Sequence, residues 1–382
     1  MCSNKKSTVL KLLNREDPGH IINAPNYWQW FAHHKNHKKL PKDLNHCRNQ
    51  LDMINALDLT VLSRNIYCNE QECWFGGLLE DRFDGVDYAV EKKLDQNDLV
   101  IKKKYKTKKG VLTEQLRYIF RESTLVQQKF LSDDSAKNLD ILEEILKSRR
   151  YNFLQNVYVT QTSTIKDNGV VMAGDVYSPL KMLYMVLGPV ETVYLLSDDE
   201  PRAMALMALH ETSQLDAIRQ MAQAGVPVIM AMDNLDTQFH PPYYVEKYCA
   251  SFYTKASKIC HEHGSNFFIH ACGNQKANLK LISDLGVDGM EGVAFPPIGD
   301  VELDEVMEET HDRFIVTGGI TAVQVLDLNT RNAVFKFTKE LFTRMRPFRN
   351  RFVFSASCNT PINTDWETII NFRDAWKEYA GI

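Results

Sequence analysis

The sequence has no long hydrophobic run, little excess charge and no dense set of cysteines. No segment approaches the ~18 uninterrupted apolar residues of a membrane-spanning helix, and the start, MCSNKKSTVLKLLNRED, lacks the apolar core of a secretion signal. The formal net charge of −4 over 382 residues gives no global attraction for nucleic acid or anionic lipid. The 8 cysteines are scattered, unlike a secreted disulfide framework. We therefore expect a cytoplasmic protein without nucleic-acid or membrane partners.

From about residue 168 the chain alternates short apolar runs with longer amphipathic segments. The runs are predicted strands: NGVVMAGDV (168–176), VPVIMAMD (226–233), NFFIHACG (266–273), GMEGVA (289–294), RFIVTGG (313–319) and RFVFSASC (351–358). Apolar strands separated by helices indicate a parallel sheet covered on both faces. No GxGxxG turn follows any of them, which weighs against a dinucleotide-binding fold. We predict an α/β fold, a single (β/α)8 barrel domain over residues 1–382.

The amino-terminal part departs from this alternation. Residues 84–120 are predicted to be a β-rich insertion into the barrel, behind an amino-terminal extension. The basic run VIKKKYKTKKG within it is interpreted as a solvated strand or hairpin rather than a docking patch. A strand is predicted at 59–65 and a helix from Ser132 to Arg150.

A histidine and two cysteines form the candidate metal site. His270 and Cys272 stand two apart on a predicted strand, so their side chains point to the same side. Cys358 ends the last predicted strand, and the carboxyl ends of all strands in a barrel open on one face. One imidazole and two thiolates suit Zn2+, and three protein ligands leave a position open for a reactant. The spacing alone favours the alternative that these residues are a core histidine and structural cysteines. Because they stand at two strand ends, we weigh the metal site and that alternative equally.

Further polar residues follow the predicted strands, and three of them are candidate catalytic residues. Glu291 is the candidate fourth ligand or general acid/base, since it directly follows the apolar start of its strand. Asp233 and Asn234 end another strand in the same way. Asp and Asn also commonly cap helices and turns, and for each residue taken alone that interpretation is favoured.

Several segments resemble the uroporphyrinogen decarboxylase superfamily, and more closely its zinc-dependent, corrinoid-linked methyltransferases. These segments are IHACGN, LGVDGMEGVAFPPIGDVELDEV, RFIVTGGI and SASCNTPINTDWETIINFRDAW, with SPLKMLYMVLGPVETVYLLSDDEP, KKGVLTEQLRY and NYWQWFAHH upstream. The resemblance covers most of the chain from about residue 20. It implies a TIM barrel. It also implies that His270, Cys272 and Cys358 are the zinc ligands, because they match the H-x-C motif and the distant cysteine of the family's zinc site.

The resemblance implies a reaction and a partner. Zinc would activate a small-molecule methyl donor, and the methyl group would pass to a cobalt(I) corrinoid held by a separate carrier protein. We favour an aryl methyl ether as donor, because Tyr27, Trp28, Trp30 and Phe31, and the segment around Trp74, are rich in aromatic rings, although such clusters are more often core. The assembly state stays open, a homodimer included.

Two alternative activities remain. Two thiolate ligands make zinc less electrophilic, which favours the opposite transfer, from methylcobalamin to a thiol. Porphyrin decarboxylation is a weaker alternative, because decarboxylases of the superfamily carry an arginine motif near the amino terminus. NYWQWFAHHKNH, which aligns with it, contains no arginine. A non-catalytic barrel with structural zinc, or a binding partner for a corrinoid protein, is a further reading.

Overall fold

The computed structural model describes residues 4–62, 77–134 and 137–381. Its strands, in chain order, are β1 (Ile22–Asn23), β2 (Leu79–Phe83), β3 (Asp87–Asp95), β4 (Asp98–Lys106), β5 (Val111–Ile119), β6 (Thr124–Lys129), β7 (Arg149–Phe153), β8 (Met172–Val176), β9 (Val228–Leu235), β10 (Asn266–Ala271), β11 (Gly289–Val293), β12 (Ile315–Ile320) and β13 (Phe352–Ala356). All six strands predicted from residue 168 onward are present, with ends that differ from the predicted ones by up to four residues.

Helices follow or precede most of these strands. They are α1 (Lys5–Leu13), α2 (Trp28–Asn36), α3 (Gln50–Ala56), α4 (Leu139–Ser148), α5 (Gln155–Ile165), α6 (Pro179–Leu187), α7 (Pro189–Asp198), α8 (Glu200–Gln223), α9 (Pro242–Tyr244), α10 (Ala250–Glu262), α11 (Leu279–Asp284), α12 (Leu303–Glu309), α13 (Ala322–Asp327), α14 (Arg331–Met345) and α15 (Trp366–Tyr379). The strand and helix alternation gives a mixed α/β fold, as predicted.

Seven strands form one curled parallel sheet in the order β1-β13-β12-β11-β10-β9-β8. The six predicted strands lie next to one another in sequence order, and β13 pairs on its other side with β1 through Ile22 and Val353. The short strand β1 was not predicted, because two residues are too few for a periodic signal. Since all seven strands run in the same direction, their carboxyl ends meet on one face of the sheet.

A short segment before the undescribed residues 63–76 bonds to both edges of this sheet. The Thr60 amide donates to the carbonyl of Asn23 in β1 at 3.1 Å. On the other side, the Val170 amide donates to the carbonyl of Val61 at 3.0 Å, just before β8. The predicted strand at 59–65 therefore begins as a backbone bridge, and its last three positions lie outside the described residues.

A hydrophobic cluster fills the inside of the curled sheet, and we call it the lumen cluster. Its members come from α1, from alternate strand positions and from short adjoining segments: Val9, Leu12, Leu13, Ile22, Ala24, Leu62, Val170, Met172, Val228, Met230, Phe268, Ile315 and Val353. A much larger cluster contains the intervening strand residues together with residues of the surrounding helices. Helix α1 closes the end of the sheet opposite the strand carboxyl ends, so access is from the carboxyl face.

A four-stranded antiparallel sheet, β3-β4-β5-β6, precedes the parallel strands. The sequence predicts a β-rich segment at 84–120, and the strands continue to Lys129. Most of the basic run lies in β4, where Lys102 and Lys104 are exposed. Lys103, on the other side of the strand, is partly buried and forms an ion pair with Glu114 at 3.0 Å. Strands β2 and β7 form a separate antiparallel pair.

Helix α7 ends at Asp198, and Asp199 caps α8 by accepting from the Arg202 amide. One helix prediction is wrong in its bounds. The helix predicted from Ser132 to Arg150 is shorter, because its start forms turns and its end enters β7. Within the described residues, no single helix is long and apolar enough to span a bilayer; α6 and α7 meet those criteria only as a pair bent by 116°.

Candidate metal centre and active site

Strand β10 carries His270 to the carboxyl face of the sheet. Every residue of this strand is buried, and Phe268 belongs to the lumen cluster. Because strand side chains alternate, His270 points to the same side as Phe268, one layer nearer the open face. Cys272 is the first residue beyond the strand, held by a bond from its amide to the Leu235 carbonyl at 3.2 Å, and its side chain is half-exposed.

Cys358 reaches His270 from the far end of the sequence. Its Sγ lies 3.8 Å from the His270 Nε2. Two zinc ligands at tetrahedral angles are separated by about 3.5 Å, given bonds near 2.3 Å to sulfur and 2.0 to 2.1 Å to nitrogen. The separation between Sγ and Nε2 therefore suits two ligands of one zinc ion. The structure brings together these two predicted ligands, which are 88 positions apart in the chain.

A glycine makes this convergence sterically feasible. Gly292 has a φ of +101°, and a Cβ there would lie 2.0 Å from the Ala271 carbonyl oxygen and 2.7 Å from that of Ser357. The residues directly before Cys272 and Cys358 thus both press against this glycine backbone. No other amino acid fits between them without a shift of the backbone.

Glu291 lies on the opposite side of the His270 ring from Cys358. The two residues are register partners on neighbouring strands, and the Glu291 carboxylate hydrogen-bonds the His270 Nδ1; both side chains are buried. A carboxylate at this position keeps the proton on Nδ1, which leaves the Nε2 lone pair facing Cys358. Glu291 therefore orients the imidazole, whereas the sequence suggested a fourth ligand or a general acid/base.

The three predicted ligands form a zinc donor set, but they are not fully assembled. Within residues 4–62, 77–134 and 137–381, no group of three His, Cys, Asp or Glu side chains stands ready to hold a metal ion. His270 and Cys358 are already paired, and Cys272 stands two residues beyond His270. An imidazole with a carboxylate behind it, together with two thiols, is the chemistry that zinc prefers. The residues present fit this metal.

Asp233 is placed differently from Glu291. A bulge in β9 sets three residues, 232–234, opposite His270 alone, so simple alternation fails there. The Asp233 carboxylate is fully buried, accepts from the Ser178 amide at 2.8 Å and is hydrogen-bonded by the Tyr253 hydroxyl. Burial raises the pKa of Asp233, and these hydrogen bonds oppose that shift. Its partners place it among the helices that cover β9, away from the His270 ring.

Asn234 makes no side-chain hydrogen bond to the predicted metal ligands among the described residues. It is exposed and has a φ of +50°, a left-handed conformation that asparagine tolerates better than most residues. The left-handed backbone conformation of the bulge therefore accounts for an asparagine at position 234. The three predicted catalytic residues are therefore not brought together in one cluster.

Three polar residues missed by the sequence reasoning adjoin the site. Lys181, in the first turn of α6, interacts electrostatically with Asp233 and Cys272; burial lowers the pKa of this lysine, and those two acidic groups oppose the shift. His240 and Gln275 lie in the loops after β9 and β10, and both are almost fully buried. A lone charge in the apolar segment SPLKMLYMVLG was the available signal for Lys181.

The aromatic residues near the amino terminus form part of the core. Trp30 is fully buried and its Nε1 donates to the Thr364 carbonyl at 2.8 Å. Tyr27 and Phe31 belong to the same large hydrophobic cluster. These rings thus do not support an aryl pocket, and Trp74 lies outside the described residues.

Comparison with known proteins agrees with this architecture. The uroporphyrinogen decarboxylase (URO-D) family model matches residues 117–379, more than half of the chain. A solved methyltransferase from Methanosarcina mazei superposes with a TM-score of 0.60 at 13% sequence identity, over 98% of this chain and 98% of that one, and this likeness shows the fold. No curated protein sequence matches the chain significantly. The chain belongs to the uroporphyrinogen decarboxylase family.

Proposed function

We propose that this chain is a zinc-dependent methyltransferase, which moves a methyl group from a small-molecule donor to the cobalt(I) corrinoid of a partner protein. One observation carries the proposal: the Cys358 thiol and the Glu291 carboxylate flank opposite nitrogens of the buried His270 ring, at the open end of the parallel sheet. The family match and the overall likeness to a protein named as a methyltransferase support it. We further infer that residues 59–62 occupy the eighth position of a closed barrel.

His270, Cys272 and Cys358 would hold the zinc. When bound, zinc withdraws charge from the heteroatom that carries the methyl group and so makes it a better leaving group. Glu291 keeps the imidazole in the tautomer whose Nε2 can bind metal. Buried strand residues around His270 exclude water from that side, which strengthens the electrostatic interactions at the site.

The donor that we favour is an aryl methyl ether. Its transfer would break the carbon–oxygen bond, with the reduced corrinoid of the partner accepting the methyl group and the departing phenolate taking a proton from water. Helix α1 closes the opposite end of the sheet, so donor and carrier protein would both approach from the carboxyl face. The corrinoid supplies the nucleophile, and the chain orients the donor.

The reverse transfer, from methylcobalamin to a thiol, is the second candidate. One feature favours it: both cysteines near His270 are outside any disulfide and partly exposed, so a zinc held by them would carry two thiolates. Such a zinc polarises an ether less strongly and suits a bound thiolate nucleophile.

A spectroscopic assay tests the proposal. The zinc-loaded protein would be mixed with cob(I)alamin and, separately, with methoxylated aromatics, methylamines and methylated thiols. We expect methylcobalamin to appear with the methoxylated aromatics. Consumption of methylcobalamin by a thiol, with no donor active, would establish the second candidate. No transfer in either direction would refute both.

A further inference from the structure

Lys181 carries its charge next to the candidate metal centre without a directly bonded partner among the described residues. It lies one turn inside α6, and its backbone amide donates to the Ser178 cap at 3.2 Å. In the part of the chain that the structure describes, its ammonium group makes no hydrogen bond and no ion pair within 4 Å. The nearby Asp233 carboxylate is already occupied by Ser178 and Tyr253. A partly buried ammonium group in this state lacks the partner that usually compensates its desolvation.

His240 lies beside Lys181 and is also unsatisfied. The ring is 2% exposed, and neither nitrogen has a partner among the described residues that meets hydrogen-bond geometry, although the Asp236 backbone acts on the ring in the direction that raises its pKa. Burial, helped by the Lys181 charge, lowers the pKa of His240 to about 3. The imidazole is therefore neutral at pH 7 and offers one N–H donor.

Contacts between helix and loops hold His240 at this place. The Tyr184 ring, one turn after Lys181, meets the imidazole edge to face at 5.5 Å between centroids. The Asn278 side-chain amide donates to the His240 carbonyl at 2.7 Å. These contacts order the loop without using either ring nitrogen.

Gln275 adds a third unsatisfied group from the loop after β10. It is fully buried, and both its amide oxygen and its amide nitrogen are without partners among the described residues. Its backbone amide donates to Asp300 at 2.6 Å, which fixes the loop that also contains Cys272. A buried side-chain amide without partners is uncommon and calls for an explanation such as an absent ligand.

We propose that Lys181, His240 and Gln275 form a subsite for an oxyanion, a carboxylate or sulfonate, on the small molecule that reacts at the metal centre. Lys181 supplies the charge, and the imidazole N–H and the Gln275 amide supply neutral donors. An oxyanion offers the acceptors that all three groups lack. Cys272 is close enough to Lys181 to interact with its charge, so the subsite adjoins the metal ligands. This inference rests on the proposed function for the identity of the reacting molecule.

Binding of matched probes tests the subsite without requiring turnover. For the aryl ether route the probes are 4-methoxybenzoate and its neutral analogue 4-methoxybenzamide. For the thiol route they are 3-mercaptopropionate and 2-mercaptoethanol. Calorimetry on the zinc-loaded protein should show at least about tenfold tighter binding of the anion in one of these pairs, since a charge-assisted hydrogen bond is worth more than one decade in affinity. The pair that shows the preference identifies the class of reactant.

Lys181→Met should abolish that preference, Lys181→Arg should retain part of it, and the exposed control Lys258→Met should leave it unchanged. Zinc content should be the same in all three variants. The subsite is refuted if wild-type protein binds no anionic probe more tightly than its neutral analogue, or if Lys181→Met keeps the preference. It is also refuted if Lys181→Met loses zinc, because the Lys181 charge would then act on the metal ligand Cys272. A charge preference in a protein that transfers no methyl group would leave the subsite standing and remove the proposed function.

Discussion

The parallel sheet and the antiparallel sheet β3–β6 differ in their charged residues, which are few in the parallel strands and many in the antiparallel ones. In the antiparallel sheet the charges are mostly exposed, and some of them form ion pairs: Arg117 pairs with Asp95 at 3.0 Å and with Asp98 at 2.8 Å. At the carboxyl end of the parallel sheet the polar groups are fewer and buried, and Lys181 and His240 lack partners among the described residues. Buried polar groups without partners that lie beside the candidate metal ligands, rather than charge content, distinguish this region as suited to chemistry.

The largest effect is expected from the metal ligands. His270→Ala and Cys358→Ser should each reduce bound zinc strongly and lower methyl transfer by about 1000-fold, since a Lewis acid supplies several kcal/mol of transition-state stabilisation. Metal analysis after dialysis against a chelator measures the first, and the corrinoid assay the second. Cys260→Ala, which removes a buried thiol from α10, is the matched control and should keep its zinc. Full zinc in Cys358→Ser would remove that residue from the ligand set.

A backbone substitution should come next. Gly292→Ala places a Cβ against the Ala271 and Ser357 carbonyl oxygens and should lower the free energy of unfolding by roughly 2 to 4 kcal/mol, with weaker zinc binding. Gly264→Ala is the control, because Gly264 has a similar positive φ of +74° but no atom within 4 Å of the added carbon. It should cost only about 1 to 2 kcal/mol, the price of the left-handed conformation. Equal losses in the two variants, measured by denaturant unfolding, would show that crowding at Gly292 is unimportant.

Glu291→Gln should have an intermediate effect. The amide no longer holds the proton on the His270 Nδ1 as a carboxylate does, so zinc affinity should fall by roughly 10- to 100-fold while the fold stays intact. Competition with a chromophoric chelator measures the affinity, and circular dichroism checks the fold. Unchanged affinity and unchanged kinetics would exclude Glu291 from the site.

The smallest effect belongs to the antiparallel sheet. The Arg117 guanidinium, by hydrogen bonding, lowers the pKa of Asp98 below its ordinary value. A carboxylate with a lowered folded pKa stabilises the protein above its unfolded pKa, and this contribution disappears as pH falls through the folded value. Arg117→Gln should therefore slightly lower the melting temperature at pH 7 and much less at a pH below the lowered pKa of Asp98, where this carboxyl group is protonated. Zinc content and methyl transfer should not change; a large loss of either would break the contrast between the two sheets.

The parallel core was predictable because its strands are apolar and bounded by helices. His270 and Cys272 followed from strand alternation, and Cys358 from its place at the end of β13. Glu291 was predicted to be in the site, but its role depends on the register between β10 and β11, which a single sequence does not specify.

Bulges limited the rest of the prediction. Residues 232–234 bulge out of β9, so Asp233 contacts the covering helices, whereas Glu291 in β11 contacts His270. Lys181 and His240 could not be predicted as site residues, because their burial depends on segments that are distant in the sequence. Neither secondary-structure propensity nor hydrophobic periodicity reveals such burial. The amino-terminal aromatic residues were assigned a function that the structure does not support. Their composition suggested a ligand pocket, whereas the structure buries them in the hydrophobic core.

X-ray absorption at the zinc edge of the purified protein tests the central claim most directly. The proposed ligands predict about one zinc per chain, with two sulfur neighbours near 2.3 Å and at least one nitrogen near 2.0 to 2.1 Å. Absence of zinc after loading, or a first shell without sulfur, would contradict the assignment of His270, Cys272 and Cys358 to one metal ion.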